Sequence, residues 1–123
     1  MAKWYTRIIG VFFLLVAFSL AADVARFGFR PETMHQIFHV LLGFIVVRWG
    51  WNDERWWRPF SGINGLFFLY VSLFGLLFSG FGGLDAFNKL DTILHGTVGV
   101  SGVVVWLLTR AVPAPISGQP SNL

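Results

Sequence analysis

The chain has 123 residues, of which 55% are apolar and 12% charged, with a formal net charge of +3 and no cysteine. That length suits one domain, and so apolar a composition excludes an ordinary soluble one: apolar runs of about twenty residues between short charged connections point to helices that satisfy their own backbones in lipid. The lack of cysteine excludes disulfides, thiolate metal sites and cysteine nucleophiles, and the dispersed Lys and Arg form no nucleic-acid patch.

In chain order, Arg7 and Asp23 bracket an apolar run from Ile8 to Ala22, extended by Trp4 and Tyr5 before it and Val24 and Ala25 after it. This predicts a first span over about 5–25. Lys3 and Arg7 ahead of the run, with Ser19-Leu20-Ala21-Ala22 near its end, also fit a cleavable signal peptide. A second span, about 33–50, follows Arg30-Pro31-Glu32-Thr33, where Pro suits a first turn and Thr a cap; Arg48 near its end can snorkel to the interface. A third, about 60–80, starts at Phe60 and is expected to stop at Gly80, Gly82 and Gly83. The fourth, about 91–109, carries Gly96, Gly99 and Gly102, a spacing that suits close helix packing. Residues 1–110 thus form one four-span membrane domain, and 111–123, with Pro113, Pro115, Gly118 and Pro120 and no apolar period, read as a disordered tail.

The chain also reads twice. Gly10-Val11-Phe12-Phe13-Leu14-Leu15-Val16 recurs fifty-five positions later as Gly65-Leu66-Phe67-Phe68-Leu69-Tyr70-Val71, and Ile37-Phe38-His39 with Gly43 recurs fifty-six later as Ile93-Leu94-His95 with Gly99. Each copy is a pair of apolar segments, which predicts an all-α, four-helix transmembrane bundle built from two tandem helical hairpins in parallel repeat. The repeat also argues that the first span is retained, because its removal would leave half of the duplication unmatched.

With four spans, Lys3, Arg7, Arg48, Arg55, Arg58 and Arg110 fall on one side and Arg26, Arg30 and Lys89 on the other. All six tryptophans fall near the first side. The richer side should be cytoplasmic, so both termini are expected there. His35, His39 and His95 then lie toward the outer ends of the second and fourth helices.

His35 and His39, four apart, share a helical face, and the repeat maps them onto Asp91 and His95. Three readings of this cluster stay open. In the first, the groups hydrogen-bond across helices and hold the bundle together. In the second, His39 and His95 are axial ligands of a b-type haem, with Gly43 and Gly99 making room for the macrocycle. In the third, His35, His39, Asp91 and His95 offer nitrogen and oxygen ligands to zinc or another transition ion. A continuous proton or ion relay is not expected, because no acid or base occupies the middle of any span. No hydrolase elbow or serine with a matched base occurs, so no enzyme activity is expected.

Asn88-Lys89-Leu90-Asp91-Thr92-Ile93-Leu94-His95, with Gly99 following, resembles the Asn-x-x-Asp-Asn-x-x-His-x-x-x-Gly pattern of a family of small bacterial four-helix membrane proteins known as a domain of unknown function; Thr92 departs from the second Asn. The resemblance implies a bacterial inner-membrane location and the same four-helix fold, and adds no activity. The expected role is structural or accessory, with lipid as solvent and a second copy or a membrane-complex subunit as partner. The alternative is a haem- or transition-metal-binding membrane protein.

Overall fold

The computed structural model describes residues 1–78 and 89–110; the expected tail lies outside them, as do the glycines expected to end the third span. The described residues form four helices: α1 (Ala2–Phe27), α2 (Pro31–Trp49), α3 (Glu54–Leu77) and α4 (Lys89–Leu108). All of them contain the spans read from the sequence or nearly so. The largest difference is α3, which starts at Glu54 rather than near Phe60. Asp53 caps it by accepting a hydrogen bond from the Arg55 backbone N–H at 3.1 Å, and Pro59 in its second turn removes only one backbone hydrogen bond, so the helix runs through it. The hydrogen bond from the Arg55 guanidinium also holds the Asp53 carboxyl below its usual range.

Three of the helices, α1, α3 and α4, are long and apolar enough to cross a membrane. The shorter α2 carries Glu32, His35, Gln36 and His39 in its first turns, which lowers its apolar character. Between its charged ends the exterior is largely apolar: Ile63 is 71% exposed and Leu76 70%, whereas Thr6 is 1% exposed, Ser61 0% and Asn64 4%. Large apolar side chains outside and small polar ones inside are the arrangement expected where the solvent is hydrocarbon and helices associate by packing and hydrogen bonds.

Within each hairpin the backbones nearly touch. A Cβ added at Gly43 would lie 2.8 Å from the Leu14 nitrogen and 2.9 Å from the Gly10 carbonyl oxygen. One added at Gly99 would lie 2.6 Å from the Leu69 nitrogen and 3.1 Å from the Gly65 carbonyl oxygen. Gly65 and Leu69 stand fifty-five positions after Gly10 and Leu14, so both crossings use the same pattern of residues. The second is tighter, since Gly10 faces Val46 where Gly65 faces Gly102.

The two hairpins meet mainly through α1 and α3. Along this seam Tyr5 lies 6.3 Å from Phe60, Phe13 5.5 Å from Phe68 and His39 5.8 Å from His95, measured between ring centroids. Tyr5 also binds both elements of the other hairpin: its hydroxyl accepts from Asn64 Nδ2 at 2.8 Å and donates to the Val98 carbonyl at 3.0 Å. Gly102 leaves the room for it, since a Cβ there would sit 2.5 Å from the Tyr5 oxygen. Tyr5, Ile9, Phe13 and Phe68 form the buried apolar core.

One end of the bundle is basic and aromatic. Arg7 donates to the Trp51 carbonyl at 3.0 Å, fixing the α2–α3 turn to α1, and Arg58 donates to the Thr109 carbonyl at 2.8 Å, capping the end of α4. The Arg7 guanidinium lies 4.8 Å from the Trp51 ring and that of Arg58 5.5 Å from Trp106. The histidines lie at the opposite end, in the first turns of α2 and α4.

The crossings generate a prediction. Gly99→Ala should lower stability against denaturant in mild detergent by about 1–3 kcal/mol, because the new methyl meets backbone that cannot swing aside, and despite a helix-propensity gain of about 1 kcal/mol. At Gly96, where an added Cβ meets only the Ser72 hydroxyl at 3.1 Å, Ala should be far better tolerated. Equal stability of the two variants would show that the close crossing is not what holds α3 against α4.

Candidate functional site

α2 presents His35 and His39 one turn apart, and α4 presents His95 from the facing hairpin. The three rings converge: His35 lies 4.6 Å from His39 and 5.2 Å from His95 between centroids. One nitrogen from each ring can be chosen so that all three lie within 4.8 Å of one another. Outside this meeting of side chains, α2 and α4 have little contact.

His35 Nε2 and His39 Nε2 are 2.7 Å apart, so one carries a hydrogen and the other accepts it. His39 is 8% exposed, and its Nδ1 is buried without a hydrogen-bond partner. Whichever tautomer His39 adopts, its second nitrogen therefore presents an unsatisfied donor or acceptor, an arrangement that costs about 1–3 kcal/mol. Two nitrogens bound to one tetrahedral zinc ion at about 2.0–2.1 Å are about 3.3 Å apart. The His35–His39 pair would open slightly and His95 would close in, changes within the reach of side-chain rotation.

The floor of the site is aromatic. The Phe68 ring stacks on His39 (5.6 Å, 9°) and on His95 (5.2 Å, 20°), and Phe13 packs 4.7 Å from His39. Both phenylalanines are buried, at 1% and 2% exposure, and they separate the histidines from the middle of the bundle. Above the floor, a cavity of about 360 Å³ reaches from the histidines to the end of the bundle, lined there by Ser19, Asp23, Arg30, Glu32 and Gln36. Gln36 Nε2 ties α2 to α1 across this rim, donating to Asp23 Oδ2 at 2.7 Å and to Ser19 Oγ at 3.3 Å.

Of the residues singled out in the sequence, His35, His39 and His95 come together, and Asp91 lines the same cavity. Gly43 and Gly99 do not. Their open sides face α1 and α3 within their own hairpins, so they close the helix crossings rather than make room beside the histidines. The space between His39 and His95 that a haem would need is bordered by the rings of His35 and Phe68, each close to both. Sequence reasoning passed over Phe13 and Phe68 as site residues, although the repeat pairs them, and used Asp23 only to mark the end of a span. Comparison with protein-family models, with curated proteins and with solved structures finds no match to this chain.

The unsatisfied nitrogen gives a test of what the histidines contribute by themselves. With chelator present, His39→Leu should leave stability within about 1 kcal/mol of the parent, since it removes a weak hydrogen bond and an unsatisfied buried atom together. A loss of several kcal/mol under metal-free conditions, read from the same denaturation curves, would mean that His39 serves chiefly to hold the helices.

Proposed function

We propose that this chain is a membrane protein that binds a transition-metal ion through His35, His39 and His95. The observation that carries the reading is the convergence of three histidines from two hairpins, one nitrogen of each within 4.8 Å of the others, in the wall of a cavity that reaches the end of the bundle. Imidazole suits zinc, copper, nickel and iron. Three protein nitrogens leave a fourth position, which Asp91 or a water molecule from the cavity would fill. Asp91 joins the site from the turn of α4 preceding His95, the position that the repeat matches to His35.

The wider setting belongs to the same proposal. All four helices cross a bacterial inner membrane, and the two hairpins are copies of one unit. The matched crossings at Gly43 and Gly99 favour this, as do Tyr5–Phe60, Phe13–Phe68 and His39–His95, each a residue meeting its own counterpart near a pseudo-two-fold axis. The basic, tryptophan-rich end faces the cytoplasm with both termini, and the metal site faces outward. The resemblance of the Asn88–Gly99 stretch to the small four-helix family belongs with this reading. An accessory role fits it, since the bound ion is held over a sealed aromatic floor and has no path through the protomer.

Metal binding is directly measurable. Protein purified in mild detergent, stripped and reloaded, should take up one zinc, nickel or cobalt ion per chain by elemental analysis, and His35→Ala, His39→Ala or His95→Ala should each weaken binding at least about tenfold, with Asp91→Asn weaker in effect. Uptake below stoichiometry, or uptake indifferent to these substitutions, would refute the metal site. A Soret band after haem-replete expression, lost in His39→Ala and His95→Ala, would replace it with the haem reading.

A further inference from the structure

The cavity that reaches the histidines has a charged rim whose cation is part of the protein. Asp23 at the end of α1 and Glu32 in the first turn of α2 face each other across Arg30. The Arg30 guanidinium lies 3.9 Å from Asp23 Oδ2 and 3.6 Å from Glu32 Oε2, longer than the 2.7–2.9 Å or so of a well-formed ionic hydrogen bond. All three side chains are a third or more exposed, at 40%, 33% and 39% for Arg30, Asp23 and Glu32. Pairs this long and this wet contribute little to stability. The guanidinium also rests 4.6 Å from the Phe27 ring, a contact it makes together with the two carboxylates. Arg30 is thus held loosely, while its backbone is fixed: its N–H donates to Thr33 Oγ1 at 2.9 Å and its carbonyl accepts from the Thr33 N–H at 2.9 Å. The side chain can move without disturbing the start of α2.

The same cavity joins this rim to His35, His39 and His95. Phe13 and Phe68 close the inner side, and the sides toward Phe12, Val16 and Leu94 are apolar, so the rim is the charged approach to the histidines. We propose that a divalent transition-metal cation reaches the histidine site through this rim, and that Arg30 is a tethered cation that occupies the Asp23 and Glu32 carboxylates until the incoming ion displaces it. The inference rests on the metal-binding reading above and adds a route and a gatekeeper to it. A monovalent ion brings no more charge than the guanidinium it would replace, whereas a divalent ion brings twice as much to the same two carboxylates. Asp23 and Glu32 capture the ion from outside, Arg30 gives up the two carboxylates while keeping its place against Phe27, and the ion passes to the imidazoles, which bind it more strongly than a carboxylate rim does.

The full chain in detergent, loaded with Co²⁺ alone, tests this through the visible absorption of the bound ion followed in stopped flow. Arg30→Gln should speed loading roughly five- to tenfold at low ionic strength, and Asp23→Asn should slow it by a similar factor. Both differences should shrink as salt is added, and Arg30→Lys should restore the slower, parental behaviour. A second variant separates the route from the field of the charges. The chain has no cysteine, so Ser19→Cys supplies a single thiol at the rim; after capping with uncharged N-ethylmaleimide, loading should slow about tenfold or more while the unmodified variant loads normally. The spectrum of the loaded site should be the same throughout, which also verifies folding. Loading of Arg30→Gln at or below the parental rate, or normal loading of the capped Ser19→Cys protein, would overturn the rim as the route while leaving the histidine site intact. A parental protein that gives no histidine-dependent cobalt spectrum would overturn the route and the site together.

Discussion

The close approach of backbones at Gly43 and Gly99 sets the geometry on which the rest of the protein depends. Helices in a bilayer gain little by hiding apolar side chains from lipid, so they associate where small residues let dispersion contacts and polar groups meet. Here the contacts are glycine against backbone, with Gly43 over Gly10 and Leu14, and Gly99 over Gly65 and Leu69. Each crossing lies one turn beyond a histidine, and so it fixes the height and direction of that histidine within its hairpin. A side chain at either glycine would push its helix outward and carry the histidine with it.

Joining the hairpins is a different problem, solved by polar and aromatic side chains rather than by glycine alone. Tyr5 spans the seam near one end, accepting from Asn64 and donating to Val98 through the space left by Gly102. Phe13 and Phe68 meet farther along, and the imidazoles follow them. The order along the seam is therefore hydrogen-bonded tyrosine, a tilted pair of phenylalanines, histidines, and then the charged rim. Burial decreases toward the rim, from imidazoles backed by aromatic rings to carboxylates a third or more exposed.

The two ends of the molecule divide the work. At one end arginines are consumed in structure: Arg7 secures the α2–α3 turn and Arg58 caps α4, each lying against a tryptophan. At the other, Arg30 holds its carboxylates at longer range and is spared any capping duty for its side chain. The same residue type is rigid where it donates to backbone carbonyls and loose where it faces only solvated carboxylates.

Much of the fold was legible in the sequence, because each helix is a local consequence of an apolar run long enough to satisfy its own backbone. The repeat went further: it put His39 and His95 at corresponding heights and made His35 and Asp91 counterparts. α3 begins at Glu54, ahead of the charge-free run that starts at Phe60, because Asp53 caps it there. The glycines were correctly tied to close packing but assigned to the wrong neighbour when they were asked to flank a haem. Periodicity puts each glycine on the face of its histidine one turn away, and it does not say which neighbour that face meets at each height. By itself the sequence determined the helices, their apolar exterior and the residues able to bind an ion, since these follow from local composition and spacing. Only the tertiary structure decided that His35 joins His39 and His95, that Phe13 and Phe68 seal them from below, and that Asp23, Arg30 and Glu32 stand at the opening, because those relations depend on how two hairpins are rotated against each other and no local pattern encodes that rotation.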